Sequence, residues 1–263
     1  MYTVKSYPHG TFCWAECTST DTDAAKPFYT GLFGWKATDD PVGEGMIYTR
    51  FSQGGHDVAA LSPMRPDQGD MPSHWNTHIN VDDVHALPDR VRELGGTVIV
   101  EPFDVLDAGH MMVIADPTGA AITLWQAKNH IGAGLVNTAG AMVWNELNTT
   151  DAEAAKTFYG ELLGWTFHKM ADMDYWVIDN QGRGNGGIME ITEDMGDMPP
   201  AWMVYFTVED VDAAFKRVKE LGGSTITEVM EGPGMRFVVA ADPAGAAFYL
   251  MESDELDTWP QDE

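Results

Sequence analysis

The sequence predicts an α+β fold of two tandem halves, each built from two modules of the order strand, helix and three strands (βαβββ). Three observations lead to this class. The segment at residues 12–35 returns at residues 142–165, so that Trp14 recurs as Trp144. Within each copy a strand-like alternation gives way to a helix-like spacing, and three further segments return in the same order. A chain of 263 residues also suits two cores better than one.

The first repeat begins with a strand and a helix. Residues 12–18 alternate, which places Trp14, Glu16 and Thr18 on one face of a strand. The Ser-Thr-Asp sequence that follows supplies short oxygen side chains that cap a helix N-terminus. The next apolar residues keep the spacing of one helix face: Ala25, Phe28, Tyr29, Leu32 and Phe33. Gly34 ends the helix, because glycine adopts the left-handed conformation at little cost.

Further strands and a second helix complete the first half. The strands are predicted at residues 46–52, 56–63, 74–81, 97–103, 109–115 and 120–126. Strand 74–81 alternates, with Asn76, His78 and Asn80 on one face. A helix is predicted to follow it at residues 82–94.

The second half repeats these elements with small shifts in spacing. Trp75 recurs as Trp202, and the turn at Asp116 recurs at Asp242. Each half is therefore expected to form one domain. The predicted boundaries are domain 1 at residues 1–127, a linker rich in glycine, alanine and asparagine at 128–140, and domain 2 at 141–263.

The charge of the chain limits the classes of partner. With 15 basic and 41 acidic residues the formal net charge is −26, which argues against binding to a nucleic-acid backbone. No uninterrupted apolar run approaches the ~20 residues that a membrane span needs. The N-terminal segment lacks the basic and apolar regions of a signal peptide, so we expect a cytoplasmic protein.

The two cysteines, Cys13 and Cys17, are predicted to be reduced. Four residues apart on one strand, their Cα atoms would lie ~13 Å apart at ~3.3 Å per residue. A disulfide needs a Cα separation within roughly 7 Å. We therefore expect both as packed thiols of the core.

Four motifs recur in the same order in both halves. They are FY-x-x-L-x-G-W at the end of a helix, V-[DE]-D-V after a later strand, L-G-G, and D-P-x-G before the last strand. This series resembles the vicinal oxygen chelate superfamily, which includes glyoxalase I, bleomycin-resistance proteins and extradiol dioxygenases. The segments at residues 75–84 and 116–133 are similar, more narrowly, to the tandem two-domain glyoxalase-like proteins of actinobacteria. The resemblance implies that each pair of modules curls into a half-open bowl that holds a small molecule, and that the chain is a monomer acting as a pseudo-dimer, or a homodimer.

The resemblance also implies where metal ligands would lie, on the first and last strands of each module. In the first half these positions are Trp14, Ala60, Asn76 and Thr123. In the second half they are Trp144, Gly187, Met203 and Tyr249. None is a histidine or a carboxylate, whereas a metal site of this kind needs about three or four nitrogen or oxygen ligands. We therefore assign no metal ligand and expect no cofactor; the alternative is a divalent metal held by displaced ligands.

Residues near those positions are expected to line the bowls. Strand periodicity extends each position by two residues on the same face. The candidate ligand-binding residues are Trp14, Asn76, Thr123, Trp125, Trp144, Met203, Tyr205 and Tyr249. Indole and phenol rings around a few polar groups are typical of a small-molecule pocket, and they also fit a closed core.

Three residues are candidates for catalysis: Glu16, His78 and Glu146. The two glutamates occupy matching places in the repeat, and a carboxylate inside a bowl is costly unless it is paired or hydrated. Each is interpreted as a general base, an anchor for a cationic ligand group, half of a structural ion pair, or a hydrogen-bonded acid at a strand end. Glu16 shares a bowl with His78 if the modules pair in order, whereas His78 faces Glu146 if the outer modules pair with each other. Either arrangement places one histidine near one glutamate as an acid–base couple.

The other acid and the other histidines are expected outside the bowls. Glu190 lies three residues from Gly187, so strand alternation turns it outward. No ligand-like spacing joins the following histidines, which are expected on the surface or in loops: His56, His74, His110, His130 and His168.

Together these features predict a glyoxalase- or bleomycin-resistance-like protein that binds a small aromatic or aldehyde-type molecule without the usual metal ligands. One alternative is a metal-dependent lyase or dioxygenase with displaced ligands. Another is a non-catalytic scaffold whose bowls are filled by side chains. The sequence leaves open whether the protein is an enzyme.

Overall fold

The computed structural model describes residues 3–43, 45–171 and 173–253, and of Asp194 only the backbone. The end of the predicted second domain, at residues 254–263, lies outside the described residues. None of the described helices combines the length and the apolar character that crossing a membrane requires.

The described strands form two sheets, one from each half of the chain. The first sheet contains β1 (Thr11–Ser19), β2 (Lys36–Pro41), β3 (Ile47–Gln53), β4 (His56–Pro63), β5 (His74–Asn80), β6 (Thr97–Val105), β7 (Gly109–Ala115) and β8 (Ala121–Ala127). The second contains β9 (Met142–Thr149), β10 (Thr166–Lys169), β11 (Tyr175–Asp179), β12 (Gly184–Glu190), β13 (Ala201–Thr207), β14 (Ser224–Thr225), β15 (Met230–Gly232), β16 (Met235–Ala241) and β17 (Ala247–Ser253). The helices are α1 (Thr22–Phe33), α2 (Pro88–Glu93), α3 (Ala152–Leu163) and α4 (Val211–Glu220).

Each sheet joins two modules through their first strands. The first sheet has the order β2-β3-β4-β1-β5-β8-β7-β6, with β1 antiparallel to β5. The second has the order β10-β11-β12-β9-β13-β17-β16-β14, with β9 antiparallel to β13 and β15 paired to β16. The modules therefore pair in order, and His78 shares a sheet with Glu16 and not with Glu146.

One face of each sheet forms a bowl. Bowl 1 is the face of the first sheet that carries Trp14 and Glu16, and bowl 2 is the face of the second sheet that carries Trp144 and Glu146. Because the side chains of a strand alternate, the residues between these positions belong to the opposite faces of the sheets.

The opposite faces of the two sheets enclose one core that belongs to both halves. A single cluster of buried apolar side chains runs through it. Phe28 of α1 packs against Phe248 of β17, with ring centroids 6.2 Å apart. Phe158 of α3 matches Phe28 in the repeat. Its ring lies against Gly96, where a Cβ would come within 2.6 Å of the ring. Each helix that ends in FY-x-x-L-x-G-W thus packs on the sheet of the other half.

A buried hydrogen-bond chain crosses from the first half to the second. Trp75 Nε1 donates to the Tyr29 hydroxyl at 3.0 Å, and this hydroxyl donates to Asp242 Oδ2 at 3.0 Å. The other oxygen of Asp242 accepts the backbone amides of Ala244 and Ala246, both at 2.9 Å, which closes the D-P-x-G turn. Asp242 therefore links its own turn to α1 of the other half.

A matching chain runs in the opposite direction. Trp202 Nε1 donates to the Tyr159 hydroxyl at 2.8 Å, and Tyr159 donates to Asp116 Oδ2 at 3.2 Å. Asp116 Oδ1 accepts the amides of Thr118 at 2.8 Å and Ala120 at 3.2 Å. The recurring tyrosine and D-P-x-G motifs are thus explained by contacts between the halves.

The helix predicted at residues 82–94 forms differently. A 3₁₀ turn, Val84–Ala86, precedes an α2 of only 6 residues. Pro88 is the physical reason, because proline lacks the amide hydrogen that a continuous helix would need at this position. The matching α4 contains no proline and continues over 10 residues.

Both cysteines are free and buried, as the sequence predicted. Both lie on β1, and the side chain of Cys17 is on the face opposite bowl 1. The Tyr29 hydroxyl approaches Cys17 Sγ to 3.7 Å within the shared core.

Candidate functional site

Glu16 of β1 is half-buried in bowl 1, with both carboxyl oxygens hydrogen-bonded. Ser62 of β4 donates to Oε1 at 2.8 Å, and Tyr48 of β3 donates to Oε2 at 3.0 Å. Trp14, two residues earlier on β1, donates its Nε1 to the Tyr48 hydroxyl at 3.3 Å. Burial raises the pKa of Glu16, while the hydrogen bonds from Ser62 and Tyr48 oppose that rise. Glu16 is thus an acceptor within a complete network.

Short polar side chains continue from this network toward β5. Thr18 Oγ1 lies 3.4 Å from Ser62 Oγ, and Asn76 Nδ2 donates to Thr18 Oγ1 at 2.9 Å. The strand register places Asn76 directly opposite Glu16. This side of bowl 1 is therefore lined by hydroxyl and amide groups.

His78 lies deeper in bowl 1, opposite Trp14 on β1 and Thr123 on β8. Its side chain is 6% exposed. Burial lowers the pKa of His78 to about 3, with the nearby His130 as the smaller cause, so the imidazole is neutral at neutral pH. In the described part of the chain no hydrogen bond joins His78 to Glu16, whose carboxyl is occupied by other donors. The two groups share bowl 1 without forming a direct acid–base pair.

His130, expected on the surface or in a loop, belongs to the linker, yet its ring packs inside bowl 1. The rings of His130 and Trp14 meet edge to face, with centroids 4.6 Å apart and an angle of 87° between their planes. Trp125 Nε1 donates to the His130 carbonyl oxygen at 2.9 Å. Burial lowers the pKa of His130, although Asp57 opposes this effect. The sequence did not predict this placement, because the linker has no periodic pattern of apolar residues.

The backbone of the linker is fixed beside β1. The amide of Ala133 donates to the carbonyl oxygen of Cys13 at 2.7 Å. Gly132 precedes it with a φ of +107°, and a Cβ there would lie 2.2 Å from the same oxygen. Only glycine fits this approach, which brings the linker close enough for His130 to reach Trp14.

Glu146 of β9 takes the place of Glu16 in bowl 2, but its surroundings differ. Glu146 is 4% exposed, and the nearby hydroxyl groups of Tyr175 and Tyr205 favour its ionised form. Trp144 Nε1 donates to the Tyr175 hydroxyl at 2.8 Å. Burial raises the pKa of Glu146 to about 7, because the two hydroxyl groups offset only part of the cost of desolvation. Among the described residues, Oε1 of this carboxyl has no hydrogen-bond partner.

A glycine makes room for Tyr175 beside Glu146. Gly187 of β12 is the register partner of Glu146, and a Cβ there would lie 1.8 Å from the Tyr175 hydroxyl oxygen. The first half has Ala60 at the matching position, opposite Glu16. The missing side chain in bowl 2 therefore lets the tyrosine lie directly over the strand.

Stacked tyrosines form the other side of bowl 2. The rings of Tyr205 and Tyr249 are nearly parallel, with centroids 4.0 Å apart and an angle of 12°. Asn148 lies near Tyr249, and its Oδ1 is buried with no hydrogen-bond partner among the described residues. Half-buried apolar side chains surround them: Val143, Trp144, Met203, Met230, Met235 and Phe237. This side of bowl 2 is thus aromatic and apolar, whereas the side of bowl 1 next to Glu16 is polar.

The predicted ligand-binding residues fall into these two bowls. Bowl 1 contains Trp14, Asn76, Thr123 and Trp125, and bowl 2 contains Trp144, Met203, Tyr205 and Tyr249. Sequence reasoning missed Tyr48, Ser62 and Tyr175, which contact the two glutamates. The repeat contained a signal for the tyrosines, because the offset between Tyr48 and Tyr175 equals that between Trp75 and Trp202.

Glu190 lies outside bowl 2, where alternation placed it. Its side chain is exposed, and Oε1 accepts the backbone amide of Ala152 at 3.0 Å. Glu190 thus satisfies a free amide in the first turn of α3.

The side chains at the family's metal-ligand positions do not fit a metal site. Bowl 1 offers an indole, an amide, a hydroxyl and an alanine there, and bowl 2 offers an indole, a thioether, a phenol and a glycine. Across the residues that the structure describes, no group of three or more His, Cys, Asp or Glu side chains lies close enough together to hold a metal ion. Of the carboxylates beside these positions, Glu16 is hydrogen-bonded to hydroxyl groups, and Glu146 lies near the hydroxyl groups of Tyr175 and Tyr205.

Both halves of the chain match one protein family. Residues 14–124 and 136–250 match the profile of the Glyoxalase/Bleomycin resistance protein/Dioxygenase superfamily. The chain is 44% identical over 254 residues to the putative glyoxylase CFP32 of Mycobacterium tuberculosis, covering 94% of this chain and 97% of the relative. It is 38% identical over 270 residues to the anthracycline biosynthesis protein DnrV of Streptomyces peucetius, covering 96% of each. The predicted resemblance is confirmed.

Solved structures of more distant proteins share the fold. The Mn(II)-bound glyoxalase from Novosphingobium aromaticivorans aligns with a TM-score of 0.67 at 17% identity, covering 95% of this chain and 84% of that one. The 2,3-dioxygenase LapB from Pseudomonas sp. KL28 aligns with a TM-score of 0.64 at 14% identity, covering 97% and 96%. At these identities the likeness concerns the fold alone, and it confirms the predicted α+β class with two tandem domains. The chain belongs to the Glyoxalase/Bleomycin resistance protein/Dioxygenase superfamily.

Proposed function

We propose that the protein binds a small, partly aromatic or aldehyde-bearing molecule in bowl 2, without metal ligands at the family positions. One observation carries this proposal. Glu146 is 4% exposed, and its Oε1 has no hydrogen-bond partner among the described residues. A buried polar atom without a partner is costly, so a ligand that supplies the missing contact explains why the carboxyl lies there.

The lining of bowl 2 supports the same proposal. Small-molecule sites combine apolar and aromatic walls with a few polar groups that fix orientation. Bowl 2 has the stacked rings of Tyr205 and Tyr249, the indole of Trp144 and the thioether of Met203 around one carboxyl. Aromatic rings favour flat ligands, and methionine adapts to irregular shapes.

The names of two relatives also favour small-molecule chemistry. One is called a putative glyoxylase and the other an anthracycline biosynthesis protein. Both names concern small organic molecules, which supports a ligand of that class for this chain.

A thermal-shift screen of the full chain tests the proposal. The panel contains aromatic aldehydes and fused-ring aromatic ketones, because a ligand bound only by the folded state raises the Tm. We expect at least one compound to raise the Tm of the wild type and Trp144→Ala to reduce that shift. Glu190→Gln, outside the bowl, is the control and should keep it. No shift across the panel at millimolar concentration, or an undiminished shift in Trp144→Ala, contradicts the proposal.

The pKa of Glu146 favours a second candidate function, acid–base catalysis on the bound molecule. A carboxyl with a pKa of about 7 occurs in both protonation states near neutral pH, which suits a general acid or base. The test incubates the compounds that bind in D₂O and follows the loss of carbon-bound hydrogen by NMR. Exchange that disappears in Glu146→Gln, while binding persists, supports a lyase or isomerase. Absence of exchange in every bound compound counts against it.

A further inference from the structure

Two buried acceptor atoms in bowl 2 have no hydrogen-bond partner among the described residues: Glu146 Oε1 and Asn148 Oδ1. Their side chains share one face of β9, with Cα atoms ~6.6 Å apart at ~3.3 Å per residue. They are only 4% and 1% exposed. We infer that bowl 2 binds a molecule whose apolar part carries a protonated amine, and that this ammonium group donates hydrogen bonds to both atoms. The inference rests on the proposed small-molecule site and adds the charge of its ligand.

Tyrosine hydroxyl groups lie near the Glu146 carboxyl without satisfying both acceptors. Tyr175 and Tyr205 favour the ionised form of Glu146, yet its Oε1 has no hydrogen-bond partner among the described residues, and neither has Asn148 Oδ1. The atoms that remain can only accept hydrogen bonds while Glu146 is ionised, so the missing partner is a donor.

An ammonium group fits these atoms better than a neutral donor does. A primary ammonium has three N–H donors, whereas a hydroxyl has one. The aromatic faces of Tyr205, Tyr249 and Trp144 add cation–π attraction for a positive charge. No basic side chain among the described residues contributes to the electrostatics of Glu146. The positive charge that would pair with its carboxylate is therefore left for the ligand to supply.

The charge of the whole chain acts in the same direction. A net charge of −26 attracts cations and raises their rate of encounter. The titratable groups that face Glu146 are Tyr175, Tyr205 and Tyr249, all neutral near pH 7, so burial keeps Glu146 largely protonated below its pKa of about 7. A bound ammonium favours the carboxylate, so binding below that pH releases the Glu146 proton.

Bowl 1 supplies the matched control. The carboxyl of Glu16 accepts from Ser62 at 2.8 Å and from Tyr48 at 3.0 Å, one hydrogen bond to each oxygen. Neither oxygen of Glu16 therefore lacks a donor. Glu16→Gln changes the charge of a glutamate at the same repeat position without touching bowl 2.

Isothermal titration of the full chain with two near-isosteric probes tests the inference. The probes are 2-naphthylmethylamine, protonated at pH 8, and the neutral 2-naphthylmethanol. We expect the amine to bind the wild type about tenfold or more tightly than the alcohol, since charged hydrogen bonds are the stronger ones. Glu146→Gln should remove that preference and change the affinity for the alcohol by less than about twofold. Glu16→Gln should leave both affinities unchanged.

Proton release gives a second measurement on the same protein. At pH 6, titration of the amine in two buffers of different ionisation enthalpy should show the release of nearly one proton per bound molecule. The alcohol should release none, because it brings no charge to Glu146. Zero release on amine binding would overturn the inference.

The other outcomes separate the inference from the proposed function. Equal affinities for amine and alcohol, with both lost in Trp144→Ala, overturn the ammonium ligand and leave the small-molecule site standing. Failure of the wild type to bind either probe contradicts both. If Glu146→Gln loses cooperative melting, Asn148→Ala replaces it, and an unchanged affinity of that variant for the amine overturns the inference.

Discussion

Bowl 1 and bowl 2 share one backbone plan and differ in chemistry. In each, a tryptophan and a glutamate lie two residues apart on the first strand, and the tryptophan donates to a tyrosine near the glutamate. The donor–acceptor pairs are Trp14 with Tyr48 at 3.3 Å and Trp144 with Tyr175 at 2.8 Å. Beyond this common group, hydroxyl and amide side chains line the side of bowl 1 next to Glu16, whereas tyrosine and methionine side chains line bowl 2.

Besides their burial, the two glutamates differ in one hydrogen-bond donor. Ser62, the register partner of Thr18, donates to Oε1 of Glu16 at 2.8 Å. The matching position in the second half is Met189, whose thioether has no hydrogen to donate. One oxygen of Glu146 is therefore left without a partner, which contributes to its raised pKa. A repeat can thus keep its fold while one of its copies loses a structural hydrogen bond.

The largest expected difference between the bowls is in the pH dependence of stability. Glu146 has a pKa of about 7 in the folded protein and an ordinary value of 4.5. As pH rises, the unfolded chain releases this proton before the folded chain does. The stability that protonated Glu146 contributes is therefore fully present below pH 4.5 and is lost as pH rises through 7. The loss is about 3 kcal/mol, and Glu146→Gln should abolish it. Urea unfolding at several pH values measures the free energy of unfolding as a function of pH. Parallel curves for the wild type and the variant would show that the pKa of Glu146 is not raised.

Closing the space over Gly187 should have the next largest effect. In Gly187→Ala the new Cβ clashes with the Tyr175 hydroxyl, which must leave its place beside Glu146. We expect a loss of about 2 kcal/mol, seen as a Tm lower by roughly 4–8 °C, together with weaker ligand binding. Gly160→Ala on α3, where the nearest atom to a new Cβ lies at 3.3 Å, is a milder control. A Tm and a ligand affinity unchanged in Gly187→Ala would mean that Tyr175 has another position at no cost.

Restoring the missing donor should have a smaller effect, which is to lower the pKa of Glu146. Met189→Ser gives bowl 2 the hydroxyl that Ser62 gives bowl 1, so the pKa of Glu146 should fall by about one unit. Titration of ¹³C-labelled glutamate followed by NMR measures this value. A pKa that stays near 7 in the variant would show that serine at this position does not reach the carboxyl.

The smallest effect is expected from metal removal. Because neither bowl groups three metal-binding side chains among the described residues, dialysis against a chelator should change the Tm by less than about 1 °C. Elemental analysis by mass spectrometry should find well under one divalent metal per chain. A stoichiometric metal whose removal lowers the Tm would favour the alternative with displaced ligands.

The sequence predicted the features of the bowls that depend on local patterns. Alternation along one strand placed Trp14 and Glu16 on one face, and the repeat placed Trp144 and Glu146 in the same way. The order of motifs predicted two βαβββ modules in each half, because those motifs form the turns and helix ends that fix the strands. Periodicity needs only neighbouring residues, so these predictions could be made without tertiary information.

The features that the sequence did not predict depend on register between distant strands. Ser62 reaches Glu16 only because β4 runs parallel to β1 at a particular offset. Module pairing was likewise left open, since the same strands can join in either order. His130 lies in a linker without period, and its position follows from backbone contacts of Ala133 with Cys13. Local chemistry contains no information on such contacts.

The two hydrogen-bond chains behind the sheets have a consequence for how this chain can evolve. Each D-P-x-G turn is completed by a tyrosine of the other half, through Tyr29 with Asp242 and Tyr159 with Asp116. All four residues lie on the side of the sheets that faces away from the bowls. Mutations that change the ligand preference of one bowl therefore leave the bonds between the halves intact. A duplicated gene of this kind can specialise one site while the other keeps its original chemistry, and both copies continue to fold as one protein.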